Sequence, residues 1–239
     1  GKGVTYDELR INESNTLAAQ LQLVPTYGFP GSDNLLASAD LTALPATPIG
    51  RLSVINVAEV NTYLEKVKQY EAAQANPSIS QADKAWMKNV VHVVGANDAG
   101  TEVQIRPYMN EYTRIVQDTL FGASVTTFNK FNSTTASTIE NIVLSRLFES
   151  GISLLTYFGH SSATALDYNL DNPNEYNNPG KYPVFLLNGC NAGNFFNFET
   201  PRLQTQATIS ERYVLAPNRG AIGLVASTHF GLVGGLGVY

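Results

Sequence analysis

A chain of 239 residues, 44% hydrophobic and 15% charged, is long enough for one large domain or two small ones and too apolar to stay disordered. Its net charge is −5 and it has no run of Lys or Arg, so it lacks the electrostatic footprint of a protein that binds nucleic acid or anionic lipid. No apolar stretch approaches the roughly 18 residues that a membrane span needs, and the single cysteine, Cys190, excludes an intrachain disulfide while saying nothing about redox compartment.

Residues 1–24 are moderately apolar with no clear period, and Val24 to Gly50, rich in Pro, Gly, Ser and Asp, reads as loops around short strands. Asn56 is placed to cap a helix over Val57–Ala75, in which Val60, Leu64, Val67 and Tyr70 recur near helical spacing. A second helical patch covers Gln81–Lys88 and holds the only tryptophan, Trp86. From there strands and helices alternate. Val90–Val94 is an apolar β-branched run, followed by Gly95–Gly100 and a helical stretch to about Phe121. Ser124–Phe128 is a weaker strand before a helix over Ser137–Phe148, and Ile152–Phe158 is a strand ending at Gly159-His160. Val184–Leu187 leads into Asn188-Gly189-Cys190, a helix covers Thr205–Val214, and a strand over Gly220–Val225 runs into Ala226-Ser227-Thr228-His229. Short apolar runs alternating with helices predict an α/β fold: a mainly parallel sheet with helices on both faces. Residues 1–80 form an N-terminal subdomain of loops, short strands and one helix in this reading, and 81–239 a catalytic subdomain. The start at Gly1 without a Met, and the end just past an apolar run, suggest a piece of a longer protein. No signal peptide is visible, which carries little weight in such a piece.

Open α/β sheets place their ligand sites beyond the carboxyl ends of the strands. Three predicted strands end at Asp98, His160 and Cys190. A free thiol, with a pKa near 8.5, is only slightly ionised at neutral pH. A histidine on an adjoining strand can take its proton and later return one to a leaving amine, and a carboxylate can orient that imidazole. Asp98 is the candidate for this last role. Gly159 and Gly189 precede the two reactive residues and let backbone and substrate approach closely. Backbone N–H groups near Cys190 and Ser161 are candidates for an oxyanion hole, with Thr228 at the pocket wall.

The segment Leu154-Leu155-Thr156-Tyr157-Phe158-Gly159-His160-Ser161-Ser162, followed by Pro183-Val184-Phe185-Leu186-Leu187-Asn188-Gly189-Cys190-Asn191-Ala192-Gly193-Asn194-Phe195, resembles the paired His and Cys motifs of the gingipain (C25) cysteine peptidases, members of the caspase-like clan. Upstream, Ser32-Asp33-Asn34, Pro48-Ile49-Gly50-Arg51-Leu52 and residues Lys66 to Glu71 resemble segments that precede the family's catalytic subdomain. Downstream, Gly220-Ala221-Ile222-Gly223 and Ala226-Ser227-Thr228 are similar to its next strand. The resemblance spans Val24 to Tyr239. It implies a caspase-like fold and cleavage of a polypeptide substrate by a Cys190 thiolate with His160 as base and acid. It also implies a secreted or cell-surface location, further domains in the full-length protein, and kinship with the secretion-linked, sortase-like branch. The resemblance implies no cofactor for catalysis. Relatives use structural calcium, for which Asp33 and Asp40 are candidates here.

The chain departs from the family by carrying Ser161 where glycine usually follows the catalytic histidine. An acidic residue for a basic-substrate S1 pocket is not assigned, Glu102 and Asp167 being the candidates. Tyr157, Phe195 and Phe196 read most simply as core or pocket-wall aromatics, and His92, inside an apolar run, as a core histidine. Two other functions fit parts of the sequence. Gly159-His160-Ser161-Ser162-Ala163 approximates a nucleophile elbow, with Ser161, Asp171 and His229 in the order of a serine hydrolase. A catalytically silent binding or secretion module is the third reading.

Overall fold

The computed structural model describes residues 1–11, 13–39, 45–130, 137–197 and 199–236, and the side chains of all of these except 137–139 and 236. Two short helices come first, α1 (Tyr6–Arg10) and α2 (Thr16–Gln20), where the sequence shows no period. Among the described residues no strand forms between Val24 and Gly50, and a single 3-10 turn, Asn34–Leu36, is the regular element there. Pro25 and Pro30 lack the N–H a ladder needs, and Gly28 turns the chain at φ +81°. The next helix, α3 (Val57–Ala75), starts where Asn56 accepts from the Glu59 amide at 3.0 Å. In place of a helix over Gln81–Lys88 there are turns and a 3-10 segment, Ala85–Lys88.

The rest is built on five parallel strands: β1 (Asn89–Gly95), β2 (Ser124–Asn129), β3 (Leu154–Gly159), β4 (Val184–Asn188) and β5 (Gly223–Ala226). They lie in the order β2-β1-β3-β4-β5. Helix α4 (Ala99–Gln117) links β1 to β2, and α5 (Ser137–Ser150) links β2 to β3. Helix α6 (Ile209–Leu215) precedes β5, and α7 (Val233–Leu236) follows it. The period of 2 sorts each strand between two cores. Val91, Val93, Leu155, Tyr157, Phe185 and Leu187 pack against Leu144 and Phe148 of α5 and Ile209 and Tyr213 of α6. On the other face Val94 and Phe158 pack against Ile105 and Met109 of α4. Helices on both faces of a parallel sheet match the expected fold class.

Boundaries moved where capping or turns override composition. Helix α6 begins at Ile209, since Thr208 accepts from the Glu211 amide at 3.4 Å while the Glu211 carboxylate accepts from the Thr208 amide at 3.3 Å. β5 begins at Gly223, because Gly220 sits at φ +81° and returns the Ala221 amide to the Tyr213 carbonyl at 3.0 Å.

The apolar pattern of α3 does not mark its buried face. Val57, Val60 and Leu64 are exposed, whereas Glu59 and Lys66 are buried. Glu59 holds the fully buried Arg202 in a bidentate pair at 2.9 and 2.8 Å. The Arg202 Nε lies 2.8 Å from Glu211, which also binds Lys2 at 3.1 Å and the Ser53 hydroxyl at 2.7 Å. Burial works to raise the Glu211 carboxyl, but Lys2 and Arg202 outweigh it and hold it below the usual range. Lys66 donates to the carbonyls of Tyr213 (3.0 Å), Val214 (3.0 Å) and Ala221 (2.8 Å), and burial pulls its ammonium down to about 7. Buried charge is tolerated only when each group is bonded in this way. Lys2 also donates to the Phe195 carbonyl, and the Thr5 amide reaches the Phe196 carbonyl at 3.0 Å, which ties the N-terminal segment to the loop after Cys190.

Candidate active site

Asp98, His160 and Cys190 follow three strands that are neighbours in the sheet, β1, β3 and β4. Gly95 pairs with Gly159 and Phe158 with Asn188. His160 and Cys190 therefore each stand two residues past one rung, at the carboxyl ends of adjacent strands. The His160 amide donates to the Gly95 carbonyl at 3.2 Å, and its carbonyl accepts from the Tyr157 hydroxyl and from the Asp167 amide at 3.0 Å. The backbone of this residue is held on both sides, while its side chain is exposed and its imidazole has no hydrogen-bond partner among the described residues.

Ser161 joins the two motifs. Its hydroxyl donates to the Cys190 carbonyl at 2.8 Å. A Cβ on Gly189 would stand 2.9 Å from the Ser161 Cβ and 3.0 Å from the Gly159 carbonyl oxygen, so glycine is required where the loops meet. Beyond it, Ser161 faces Leu166 in an antiparallel bridge. The flanking bonds, Ser162 N–H to the Ala165 carbonyl at 2.8 Å and Asp167 N–H to the His160 carbonyl at 3.0 Å, make Ser161–Leu166 the non-hydrogen-bonded pair. The bridge therefore leaves the Ser161 N–H free.

Cys190 is half-buried. Its Sγ lies 3.5 Å from the Gly231 amide nitrogen and 3.7 Å from the Gly231 oxygen. The chain then turns at Asn191, which adopts φ 57°, and the Asn191 amide donates to the His229 carbonyl at 2.9 Å. Gly193 N–H donates to the Ser227 carbonyl at 2.9 Å.

Asp98 caps α4. Its carboxylate accepts from the Thr101 amide at 2.9 Å and the Thr101 hydroxyl at 2.7 Å. The amide bond and then the hydroxyl bond hold its carboxyl below the usual range, and the nearby His160 lowers it further. Both oxygens thus serve the helix N-terminus, a use that the sequence reading did not assign to them.

The other candidates fall in different places. Thr228 lines a cleft of about 840 Å³ beside β5, together with Gly193, Arg51, Tyr63 and Val225; neither Cys190 nor His160 lines it. Glu102 is buried and accepts from Arg106 and from Asn129 at 2.6 Å, while Asp167 is paired with Lys130. Asp33 gives both oxygens to Arg51, at 2.8 and 2.7 Å, and Asp40 lies outside the described residues. The serine-hydrolase arrangement is absent. Ser161 enters a bridge rather than a helix, Asp171 accepts from the Leu166 amide at 2.7 Å, and the His229 ring packs edge-on against Phe29 and Phe230.

Tyr157 is more than the core aromatic it was expected to be, since its buried hydroxyl positions the His160 carbonyl. Gly231 carried no sequence signal at all. His92 is the core histidine expected, fully buried in β1. Thr113 donates its hydroxyl to the Met109 carbonyl at 2.9 Å, so the His92 Nδ1 must be the donor in its 3.0 Å bond to Thr113.

The result is an α/β domain with a thiol and an imidazole at adjacent strand ends. The profile of peptidase family C25 matches residues 1–236, and the chain belongs to that family, one of cysteine-type peptidases. Its fold is similar to a solved structure described only as a protease (TM-score 0.65, 19% identity, covering 85% of this chain and 41% of that one). It is also similar to the Arg-specific cysteine proteinase gingipain R (TM-score 0.60, 18% identity, 87% and 47% covered). A third likeness is to the complex of the pro- and mature domains of RgpB from Porphyromonas gingivalis (TM-score 0.62, 19% identity, 87% and 48% covered). The chain thus spans less than half the length of these solved chains. No curated protein matches it.

Proposed function

We propose that this domain cleaves peptide bonds through a Cys190 acyl-enzyme. The observation that carries the reading is the meeting of the His160 and Cys190 loops at adjacent strand ends, joined by the Ser161–Cys190 bond. His160 takes the thiol proton as Sγ bonds to the scissile carbonyl carbon and the carbonyl oxygen becomes negative. The free Ser161 N–H is suited to stabilise that oxyanion, alongside backbone N–H at Cys190. Collapse of the intermediate breaks the C–N bond, and the imidazolium gives its proton to the leaving amine. His160 then deprotonates a water that attacks the thioester, and the C–S bond breaks to release acid and thiol. Asp98 orients the imidazole in this reading.

Residues 1–80 serve as a subdomain buttressing residues 81–239, a role supported by the Glu59–Arg202 and Lys66 contacts. The substrate is a polypeptide, and the family membership supports an extracellular or surface setting. No described helix is long and apolar enough to cross a membrane. A peptidyl acyloxymethyl ketone library tests the proposal: mass mapping should place the adduct on Cys190, and Cys190→Ala should abolish peptide cleavage. A purified domain with no adduct and no cleavage is a silent module instead.

A further inference from the structure

The stretch after β5 does not leave the sheet. Ser227 and His229 give their carbonyls to Gly193 and Asn191, each at 2.9 Å, so the chain is fastened to the Cys190 loop at the end of β4. The Ser227 hydroxyl sharpens that turn by bonding the His229 carbonyl at 2.7 Å and the His229 amide at 3.2 Å. Gly231 then puts both of its backbone polar groups against the thiol, nitrogen at 3.5 Å and oxygen at 3.7 Å from Sγ. Two residues later Val233 packs on the cluster of Val94, Phe158, Ile105 and Met109, on the α4 side of β1 and β3. Residues 227–233 therefore run from the end of β5, past the end of β4, to the ends of β3 and β1. This is the line along which the catalytic candidates lie.

We infer that residues 227–233 form a strap across the catalytic cleft, held at both ends, whose backbone at Gly231 occupies the space a substrate carbonyl carbon must take beside Cys190; this rests on Cys190 being the nucleophile. A carbon about to be attacked has to come within roughly 3–3.5 Å of the sulfur, and on the Gly231 side the approach is met by that residue's nitrogen at 3.5 Å and oxygen at 3.7 Å. The two fastenings differ. The β4 side rests on paired backbone bonds, whereas among the described residues the far side rests on one partly buried valine that two glycines, Gly234 and Gly235, follow. Phe230 and Leu232, on either side of Gly231, are 75% and 84% exposed, so little packing opposes movement. The strap swings from the β4 side when substrate displaces Val233.

Alkylation of Cys190, the chain's only cysteine, reads this directly. Iodoacetamide should modify Val233→Ser at least threefold faster than the wild-type protein, both checked for native circular dichroism. Acceleration below threefold overturns the strap. Should Val233→Ser fail to fold, hydrogen exchange on the wild-type protein decides: carboxamidomethylation of Cys190 should speed exchange of the amides at 231–233 at least threefold, and a smaller change overturns the inference. Neither readout needs turnover, so an active Cys190→Ala protein would refute the nucleophile separately.

Discussion

The hydroxyl of Ser161 donates to the carbonyl of Cys190 across 2.8 Å, and this one bond fastens the His160 loop to the Cys190 loop. The serine therefore acts as a tie between loops, with its proton already committed. Ser161→Ala should cost about 1 kcal/mol of stability, the usual net value of such a bond, and lower kcat several-fold while leaving covalent labelling on Cys190. Urea melts and inhibitor mapping check it. Loss of all labelling in Ser161→Ala would return the case to a serine nucleophile.

Gly189 has no room for a side chain, with Ser161 and the Gly159 carbonyl against it. Gly189→Ala should destabilise the fold by about 1–3 kcal/mol through overpacking and remove most activity by parting the two loops. The double variant Gly189→Ala/Ser161→Gly should recover part of both, since the nearest contact is then gone. Equal stability of the two proteins would contradict the packing account.

Asp98 has two candidate duties, and different substitutions separate them. Asp98→Ala removes the cap of α4 and should lower stability. Asp98→Ser keeps a capping oxygen without a carboxylate and should restore most of that stability. If Asp98 also orients His160, kcat falls in both variants with KM nearly unchanged. Full kcat in Asp98→Ser would leave a His160–Cys190 dyad.

His92 should make the domain acid-sensitive. Burial pulls its imidazole from 6.5 down to about 4. Between those values the unfolded chain binds a proton that the folded chain refuses, so stability is full above pH 6.5 and falls as the pH drops towards 4. The loss amounts to about 3 kcal/mol at 1.36 kcal/mol per unit. Urea unfolding of wild-type and His92→Leu proteins at pH 7 and pH 4 should show the smaller fall in the variant. Parallel falls would assign the acid sensitivity to other groups.

Arg202 is buried among Glu59, Glu211 and the Ser53 carbonyl. Arg202→Met leaves two carboxylates short of a partner and should destabilise by about 3–5 kcal/mol. Adding Glu59→Leu should recover part of the loss, which a double-mutant cycle in denaturant would reveal.

The strands over Val90–Val94, Ile152–Phe158 and Val184–Leu187 were legible as short β-branched and aromatic runs, and α3 from its Asn56 cap, because such signals lie within a few residues of one another. The candidate side chains were legible for the same reason, each standing one to three residues after its strand. Their company was not. That β1 lies between β2 and β3, and β4 beside β3, depends on pairings between residues 30 to 64 positions apart, which no local window contains. Glu59 and Lys66 look like surface charges until Arg202 and the carbonyls of α6 arrive from nearly 150 residues away to satisfy them. Asp98 read as a triad member, and the structure makes it the cap of α4, which begins there. The sequence by itself determined the strands, the capped helix and the candidate groups at the strand ends, all set by local propensity and short-range bonding. Only the tertiary structure decided which of them meet, which charges are buried, and that Gly231 lies against the thiol, because long-range packing alone brings those atoms together.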